Sequence, residues 1–191
     1  MHEMPACPAA TDAAVIARLA RGDREGLDEL FRRYRVVAFR VAYRLLGNEA
    51  DALDAVQDGF VKVVRHVGRF RGRCTLKTWV LRVVSNAALD LGRQRQRRHT
   101  RLADAVRGRP TEYDPDLRPT DLDRADLRGL VAQALAELPD AQRQTFVLHV
   151  EGGLSYREVA ETLNVPIGTV MSRLFFARKR LQSILADRVC P

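Results

Sequence analysis

Apolar residues recur at steps of three and four along the first hundred positions, the spacing that places them on one side of an α-helix. The recurrence predicts four helices, which end near Ala20, Gly47, Val67 and Arg97. Thr11 or Asp12 is the expected N-cap of the first helix, because a short oxygen-bearing side chain accepts a hydrogen bond from the first turn. No segment alternates apolar and polar residues as a strand does, so helices alone are expected.

The second, third and fourth helices carry apolar stripes that are expected to face a core, and the stripe of the second helix runs from Leu27 to Leu45. The third helix contributes Ala52, Leu53, Val56, Phe60, Val63, Val64 and Val67. The fourth helix, from about Thr75, contributes Leu76, Val80, Val83, Val84, Ala87 and Leu91. Gly92 lies inside the fourth helix, where it costs roughly 1 kcal/mol relative to Ala, so fraying is expected beyond it.

The composition changes between residues 107 and 123. Three prolines lie there among acids, with little that could form a core: Pro110, Pro115 and Pro119. Such a segment is typical of an extended linker between domains. The sequence therefore predicts an all-α fold of two small helical domains, at 10–100 and 124–188, joined by a linker at 101–123.

Residues 155–181 form a helix-turn-helix pattern. Ser155 and Glu158 have the spacing of a capping box, and Pro166 prevents the first helix from continuing. The second helix is expected to bury Val170, Leu174, Ala177 and Leu181. Hydroxyl and guanidinium groups then remain on its opposite side, which suits contacts with DNA bases and phosphates. Paired helices also occur in proteins with no DNA role, so the pattern alone indicates only a candidate DNA-binding unit.

Composition narrows the class of protein further. The hydrophobic content of 46% is enough for packed cores, yet no apolar run approaches the roughly 18 residues of a membrane span. The N-terminus lacks the basic start and apolar core of a signal peptide, so a cytoplasmic protein without membrane insertion is expected. Cys7, Cys74 and Cys190 form no CxxC pair and are interpreted as reduced thiols. Neither a cofactor nor a bound metal is predicted.

Positive charge is concentrated between Lys62 and Arg101, a stretch with twelve Lys or Arg residues and one acid, Asp90. Its charge of +11 exceeds the +8 of the whole chain, so the remainder is acidic. With only one acid nearby, the repulsion among these Lys and Arg side chains is not compensated unless a polyanion binds. The stretch therefore predicts a nucleic-acid-binding element.

The centre of that stretch suits single-stranded nucleic acid. A loop alternates positive charge with an aromatic ring and glycine: Arg69, Phe70, Arg71, Gly72 and Arg73. Guanidinium groups can follow the backbone while an aromatic ring or a small pocket receives an unstacked base. The outer side of the fourth helix adds Lys77, Thr78, Trp79, Arg82 and Asn86. Trp79 could equally belong to the core.

The third helix carries an acidic stripe. Asp51, Asp54 and Asp58 stand at positions i, i+3 and i+7, with Gln57 adjacent. One interpretation is the metal site of a nuclease, but no His or Glu from elsewhere in the pattern obviously joins the stripe. The other is a docking surface for a basic partner, because acids beside a DNA-binding element repel DNA.

Three motifs in this order resemble the extracytoplasmic-function (ECF) sigma factors of bacterial RNA polymerase, group IV of the main sigma family. Residues 51–63 are similar to the family's polymerase-docking helix, and residues 69–90 to its promoter-melting loop and −10 reading helix. Residues 138–181 are similar to its −35 reading domain. The resemblance covers nearly the whole chain, including a linker where the family has one.

The resemblance implies a sigma region 2 domain and a sigma region 4 domain, in a non-enzymatic protein that binds core RNA polymerase and promoter DNA. Polymerase docking is implied for Asp54, Gln57 and Asp58. Capture of the single-stranded −10 element is implied for Arg69, Phe70, Arg71, Arg73, Lys77, Trp79, Arg82 and Asn86. Contact with the −35 duplex is implied for Tyr156, Thr169, Ser172, Arg173, Phe175 and Arg178. An anti-sigma protein that covers these surfaces is implied as a further partner.

The chain departs from the family at three positions. Met171 and Phe176 stand where the family often has basic residues, so weaker phosphate contact and a flatter salt dependence are expected. Cys74 stands in the melting loop where Ser, Thr or an acid is expected. This replacement either has no effect or makes the position sensitive to oxidation. The competing hypotheses are a stand-alone helix-turn-helix regulator, which leaves the acidic stripe and the basic loop unexplained, and the metal-dependent nuclease.

Overall fold

The computed structural model describes residues 9–105 and 122–189, with side chains described for 12–97 and 129–186. Every regular element in those ranges is helical, which confirms the predicted all-α class. The helices are α1 (Ala9–Ala20), α2 (Arg24–Leu46), α3 (Glu49–His66), α4 (Leu76–Ala105), α5 (Leu122–Ala136), α6 (Asp140–Val150), α7 (Tyr156–Leu163) and α8 (Ile167–Val189). A short 3-10 turn, Val67–Arg69, follows α3.

The junction between α2 and α3 is built by a glycine and a short polar residue. Gly47 ends α2 with φ 77°, in the left-handed region where a side chain is strained. The Oδ1 atom of Asn48 then accepts a hydrogen bond from the backbone N–H of Asp51 at 2.8 Å. The two helices therefore reverse direction within a turn that needs Gly47.

Asp12 does not cap α1, so that prediction was wrong. The helix begins at Ala9, which places both Thr11 and Asp12 inside it. The Asp12 carboxylate instead accepts hydrogen bonds from the backbone N–H of Leu76 at 3.1 Å and from the Tyr34 hydroxyl at 3.3 Å. It therefore caps the N-terminus of α4, a tertiary contact that local sequence rules do not detect.

The first bundle, α1 to α4, buries most of the predicted apolar stripes. Leu53 is an exception, because it is 53% exposed. The buried stripe of α3 is centred on Ala52, Val56, Gly59 and Val63, which turns Leu53 toward solvent. A Cβ atom at Gly59 would lie 2.7 Å from Val84 Cγ2, so this glycine permits the close approach of α3 and α4.

Helix α4 continues to Ala105, so both its predicted end at Arg97 and the expected fraying beyond Gly92 were wrong. A Cβ atom at Gly92 would lie 3.4 Å from Leu46 Cδ2. The end of α2 thus packs against α4 at this glycine, and the packing offsets its low helix propensity. The first residues of the predicted linker are consequently helical.

The helix-turn-helix prediction is confirmed in α7 and α8. The Ser155 hydroxyl accepts a hydrogen bond from the Glu158 N–H at 3.3 Å, and the Glu158 carboxylate accepts one from the Ser155 N–H at 2.8 Å. Asn164 ends α7 with φ 53°, and α8 begins at Ile167. The residues predicted to face inward on α8 are buried: Val170, Leu174, Ala177 and Leu181.

The second bundle, α5 to α8, packs against the first, and their buried apolar residues form one continuous cluster. Helix α4 also buries a second stripe, of which only Thr78 was named in the prediction, and there as an outward residue. It consists of Thr78, Leu81 and Ser85, which are 1%, 0% and 0% exposed. An ion pair between Arg44 of α2 and Glu151 after α6, at 2.9 Å, joins the same two bundles.

Candidate nucleic-acid interface

The loop between α3 and α4 presents three exposed arginines, Arg69, Arg71 and Arg73. The backbone N–H of Phe70 donates to the Val67 carbonyl at 3.0 Å, which ties the start of the loop to the 3-10 turn. Gly72 adopts φ 66° and turns the chain. The loop therefore combines a fixed start with guanidinium groups that are free to approach a phosphate backbone.

Trp79 belongs to both the core and the loop site. Its side chain is half-buried and packs against the hydrophobic core. Its ring also lies against Phe70, with centroids 5.1 Å apart and planes tilted by 47°. The ring pair anchors the loop on α4 and leaves a partly exposed aromatic edge beside the arginines.

The remaining predicted residues of α4 differ in their surroundings. Arg82 and Asn86 are exposed and stand one helical turn apart, whereas Lys77 is half-buried. The Asn86 Oδ1 atom accepts a hydrogen bond from Gln144 Nε2 at 3.2 Å. One predicted DNA-contacting group is therefore occupied by a side chain of the second bundle.

On α3, Asp54, Gln57 and Asp58 lie exposed on one side, where the sequence placed them. Asp58 pairs with Lys62 at 2.6 Å, and both side chains are about half exposed, so water screens the pair. Leu53 and Val61 share that side and are 53% and 41% exposed. Acids beside exposed apolar groups suit a protein partner with basic residues.

Asp51 does not belong with the other acids of the stripe. Its carboxylate accepts a hydrogen bond from Asn48 Nδ2 at 2.8 Å and pairs with Arg95 of α4. The bond from Asn48, with help from Arg95, holds the pKa of Asp51 below its ordinary value. Within the described residues no group of three or more His, Cys, Asp or Glu side chains could hold a metal ion.

The predicted contact residues of α8 lie on one side of the helix, where some are exposed and others are half-buried. Ser172, Phe175 and Arg178 are exposed, whereas Thr169 and Arg173 are half-buried. The Ser172 hydroxyl donates to the Thr169 carbonyl at 3.0 Å, so its lone pairs remain available to accept a hydrogen bond.

A groove of about 510 Å³ separates the start of α7 from the exposed side of α8. It is lined by Tyr156, Met171, Phe175, Arg178, Lys179 and Gln182. The structure therefore brings together Tyr156, Phe175 and Arg178 from the predicted set. Lys179 and Gln182 were missed, although their spacing from Phe175 continues the three- and four-residue periodicity of this side.

Exposed apolar side chains accompany the basic groups of α8. Met171, Phe175 and Phe176 are 54%, 61% and 54% exposed, and the two phenyl rings meet edge to face with centroids 5.4 Å apart. Adjacent large apolar groups in solvent are typical of an interaction surface.

Cys74 lies half-buried at the end of the loop, near the acids of α7. Burial raises the pKa of its thiol, and the Glu161 carboxylate adds to the increase. The thiol is therefore protonated near neutral pH, which makes it a weak nucleophile in this conformation.

Family models match both bundles. The Sigma-70 region 2 model matches residues 30–98, which contain α3, the loop and most of α4. The Sigma-70, region 4 model matches residues 128–181, which contain the helix-turn-helix.

Curated relatives extend over most of the chain. The ECF RNA polymerase sigma-E factor of Escherichia coli (strain K12) is 31% identical, over 91% of this chain and 93% of its own length. The ECF RNA polymerase sigma factor SigE of Mycolicibacterium smegmatis is 35% identical over 87% of this chain, which spans 65% of that relative.

Two solved structures share the fold. CnrH in complex with the cytosolic domain of CnrY gives a TM-score of 0.69 at 25% identity, over 92% of this chain and 97% of CnrH. The sigma factor RpoE in complex with the anti-sigma factor NepR from Bartonella quintana gives 0.61 at 28% identity, over 82% of this chain and 96% of RpoE.

A region 2 bundle followed by a region 4 helix-turn-helix defines the sigma-factor class. The chain belongs to the extracytoplasmic-function sigma factors of that class. In the part of the chain that the structure describes, no helix combines the length and apolar character needed to cross a membrane.

Proposed function

We propose that this chain directs promoter-specific transcription initiation in the cytoplasm and catalyses no reaction itself. It binds core RNA polymerase through α3, reads the −35 duplex with α7 and α8, and captures the melted −10 strand with loop 69–74 and α4. The observation that carries the proposal is the presence of all three surfaces on one chain of this family. Residues 10–100 and 124–188 act as the two functional domains.

The loop accounts for recognition of a melted strand. Extracting a base from the duplex costs a few kcal/mol, whereas stacking on an aromatic side chain returns about 1–3 kcal/mol per base. Phe70 and Trp79 provide partly exposed rings, and Arg71 and Arg73 provide charge for the adjoining phosphates. Only a strand whose bases fit the loop offsets the cost of melting, so specificity resides partly in the open complex.

The groove beside α8 accounts for recognition of the −35 duplex. Arg178 and Lys179 provide phosphate contacts, and the Ser172 hydroxyl can accept a hydrogen bond from a base edge. Met171 and Phe176 replace cations that the family often carries, so this chain relies more on apolar contact with the groove, such as thymine methyl groups.

The acidic side of α3 accounts for polymerase binding. Asp54 and Gln57 are exposed beside Leu53, which supplies apolar area at the same surface. Acids select a basic partner, and the apolar group adds affinity once water is excluded. The hypothesis of a stand-alone DNA-binding regulator leaves this surface unexplained.

We also propose that an anti-sigma protein holds the chain inactive. Two solved relatives were determined in complexes, CnrH with CnrY and RpoE with the anti-sigma factor NepR. The exposed phenyl rings of Phe175 and Phe176 provide an apolar surface on the −35 side that such a partner would cover.

The docking proposal is tested by reversing charge on α3. We expect Asp54→Arg to weaken binding to core RNA polymerase about tenfold or more, because the reversed charge faces a basic partner. The matched control is Asp28→Arg, which makes the same change at an exposed position of α2. Binding is measured by pull-down and by fluorescence titration with core enzyme. Equal binding of both variants and the unmodified chain would exclude α3 as the docking surface.

A further inference from the structure

A cavity of about 420 Å³ lies where the end of α2 and the middle of α4 meet α5 and the start of α6. Four arginines line it: Arg44, Arg93, Arg95 and Arg143. They come from three helices, so it is the fold that brings them together. We call this space the arginine cavity. None of its lining residues belongs to the sets predicted to contact DNA or the polymerase.

Positive charge exceeds negative charge in the lining of the arginine cavity. Four guanidinium groups stand against two carboxylates, those of Asp51 and Asp140. A third acid, Glu151, pairs with Arg44 at 2.9 Å from outside the lining. Each guanidinium has five N–H donors, of which a carboxylate takes at most two in a bidentate pair. These acids therefore leave N–H groups that a further anion can bind.

Arg143 has the most buried side chain of the four, at 16% exposed. One Nη atom donates to Asp140 at 2.7 Å and the other to the Ala136 carbonyl at 3.4 Å. Its buried Nε atom has no hydrogen-bond partner among the described residues. Buried N–H groups are nearly always paired, so an unpaired one on a cation is a reason to look for an anion.

Asp140 shows how this site holds an anion. Its Oδ1 atom accepts the bond from Arg143, and its Oδ2 atom lies 3.6 Å from Nε of Arg93, so one carboxylate stands between arginines of α6 and α4. Pro139 precedes it as the N-cap of α6 and offers no side-chain hydrogen bond to the first turn. The Asp140 side chain is 46% exposed, so a stronger anion can replace its carboxylate.

The rest of the lining is largely apolar. It consists of Leu45, Leu46, Ala88, Leu89, Ala132 and Ala136, with two glycines and Gln96. An inorganic anion gains nothing from such a wall, because apolar surface is stabilised only by contact with another apolar group. The volume lies within the range of small-molecule sites. The lining therefore suits a ligand that has an organic part as well as a charged group.

We propose that the arginine cavity binds a small organic phosphate, which joins a phosphate or diphosphate group to an apolar or heterocyclic body. A phosphate monoester carries about 1.5 to 2 negative charges near neutral pH, which matches the excess of two guanidinium groups over carboxylates in the lining. Its oxygens also match the fork of an arginine. A carboxylate ligand offers one charge and two acceptor atoms, so it fits this excess less well.

The proposed site assigns a second role to part of the basic stretch. Arg93 and Arg95 belong to the residues between Lys62 and Arg101, yet they line the arginine cavity together with residues of the second bundle. A small phosphate would therefore use charge that the sequence analysis attributed to nucleic acid alone. The inference does not depend on the proposed function, because it rests on no residue assigned to the promoter or the polymerase.

The experiment titrates the full chain with adenosine 5′-diphosphate (ADP), which carries both kinds of group. Inorganic pyrophosphate and adenosine are the two partial probes, and calorimetry at fixed salt without divalent cations measures the affinities. We expect saturable ADP binding with a Kd below about 1 mM, tighter than the binding of either partial probe. The proposal is overturned if ADP does not saturate the chain, or if pyrophosphate or adenosine binds as tightly as ADP.

A matched pair of variants locates the site. We expect Arg143→Gln to weaken ADP binding about tenfold or more, because a hydrogen bond between charged groups is lost. Arg35→Gln removes the same charge at an exposed position of α2, and we expect it to change the affinity by less than about twofold, because salt screens a distant charge. Equal weakening by both variants would mean that ADP responds only to net charge, and would overturn the proposal.

Asp140→Asn keeps the test valid if Arg143→Gln does not fold. It removes the carboxylate that competes for Arg143 and Arg93, so we expect ADP affinity to rise about threefold or more. A general loss of structure would weaken binding instead. Asp28→Asn, at an exposed position of α2, makes the same charge change and serves as the control. Unchanged or weaker binding in Asp140→Asn, or an equal rise in the control, overturns the proposal.

Discussion

The Asp12 carboxylate joins three helices of the first bundle. It lies in α1, accepts a hydrogen bond from the N–H of Leu76 at the start of α4, and is within 3.6 Å of Arg33 on α2. The Tyr34 hydroxyl also donates to it, and burial, together with the Asp12 charge, raises the pKa of Tyr34 to about 12. One small acid thus fixes the start of α4 against α1 and α2.

We expect Asp12→Ala to lower the free energy of unfolding by about 2–3 kcal/mol, because it leaves a buried N–H of α4 without a partner. The loss is measured by urea denaturation. Asp28→Ala, at an exposed position of α2, serves as the control and is expected to change stability by less than about 0.5 kcal/mol. Similar losses in both variants would show that the Leu76 contact contributes nothing specific.

At the scale of helices, the sequence predicted the features that depend on local patterns and missed those that depend on tertiary contacts. The capping box of Ser155 and the buried stripe of α8 involve residues within a few turns of each other, so periodicity and spacing sufficed. The second stripe of α4 could not be found in this way. Ser85 is a polar residue that is buried because Gln144, far along the chain, lies on it. Gln144 also donates a hydrogen bond to the neighbouring Asn86, at 3.2 Å.

The loop before α4 yields a prediction that separates melting from simple charge attraction. We expect Arg71→Ala with Arg73→Ala to reduce open-complex formation about tenfold on duplex promoters, and by much less on premelted ones, because stabilising an unstacked strand matters only where melting is required. Permanganate footprinting of the two templates measures the difference. Arg35→Ala with Arg40→Ala, both exposed on α2, is the control. Equal reductions on both templates would mean that the loop supplies charge alone.

At the scale of the molecule, charge is divided between two kinds of surface. The stretch from Lys62 to Arg101 carries +11 while the whole chain carries +8. The exposed acids Asp54 and Asp58 lie outside that stretch, on the proposed polymerase side. Such a division keeps the docking surface from competing for DNA, so the position of a charge should matter more than the net charge.

The last prediction tests that division through the salt dependence of duplex binding. Phe176→Arg on α8 adds one cation on the DNA side, and we expect the slope of log affinity against log salt to steepen by about 0.9, the value for one additional phosphate contact. Asp54→Arg changes the net charge by twice as much but lies on α3, so the slope should stay the same. Fluorescence anisotropy with a random-sequence duplex across a potassium chloride series measures both. If the slope followed net charge, Asp54→Arg would steepen it more than Phe176→Arg, and the separation of the two surfaces would be wrong.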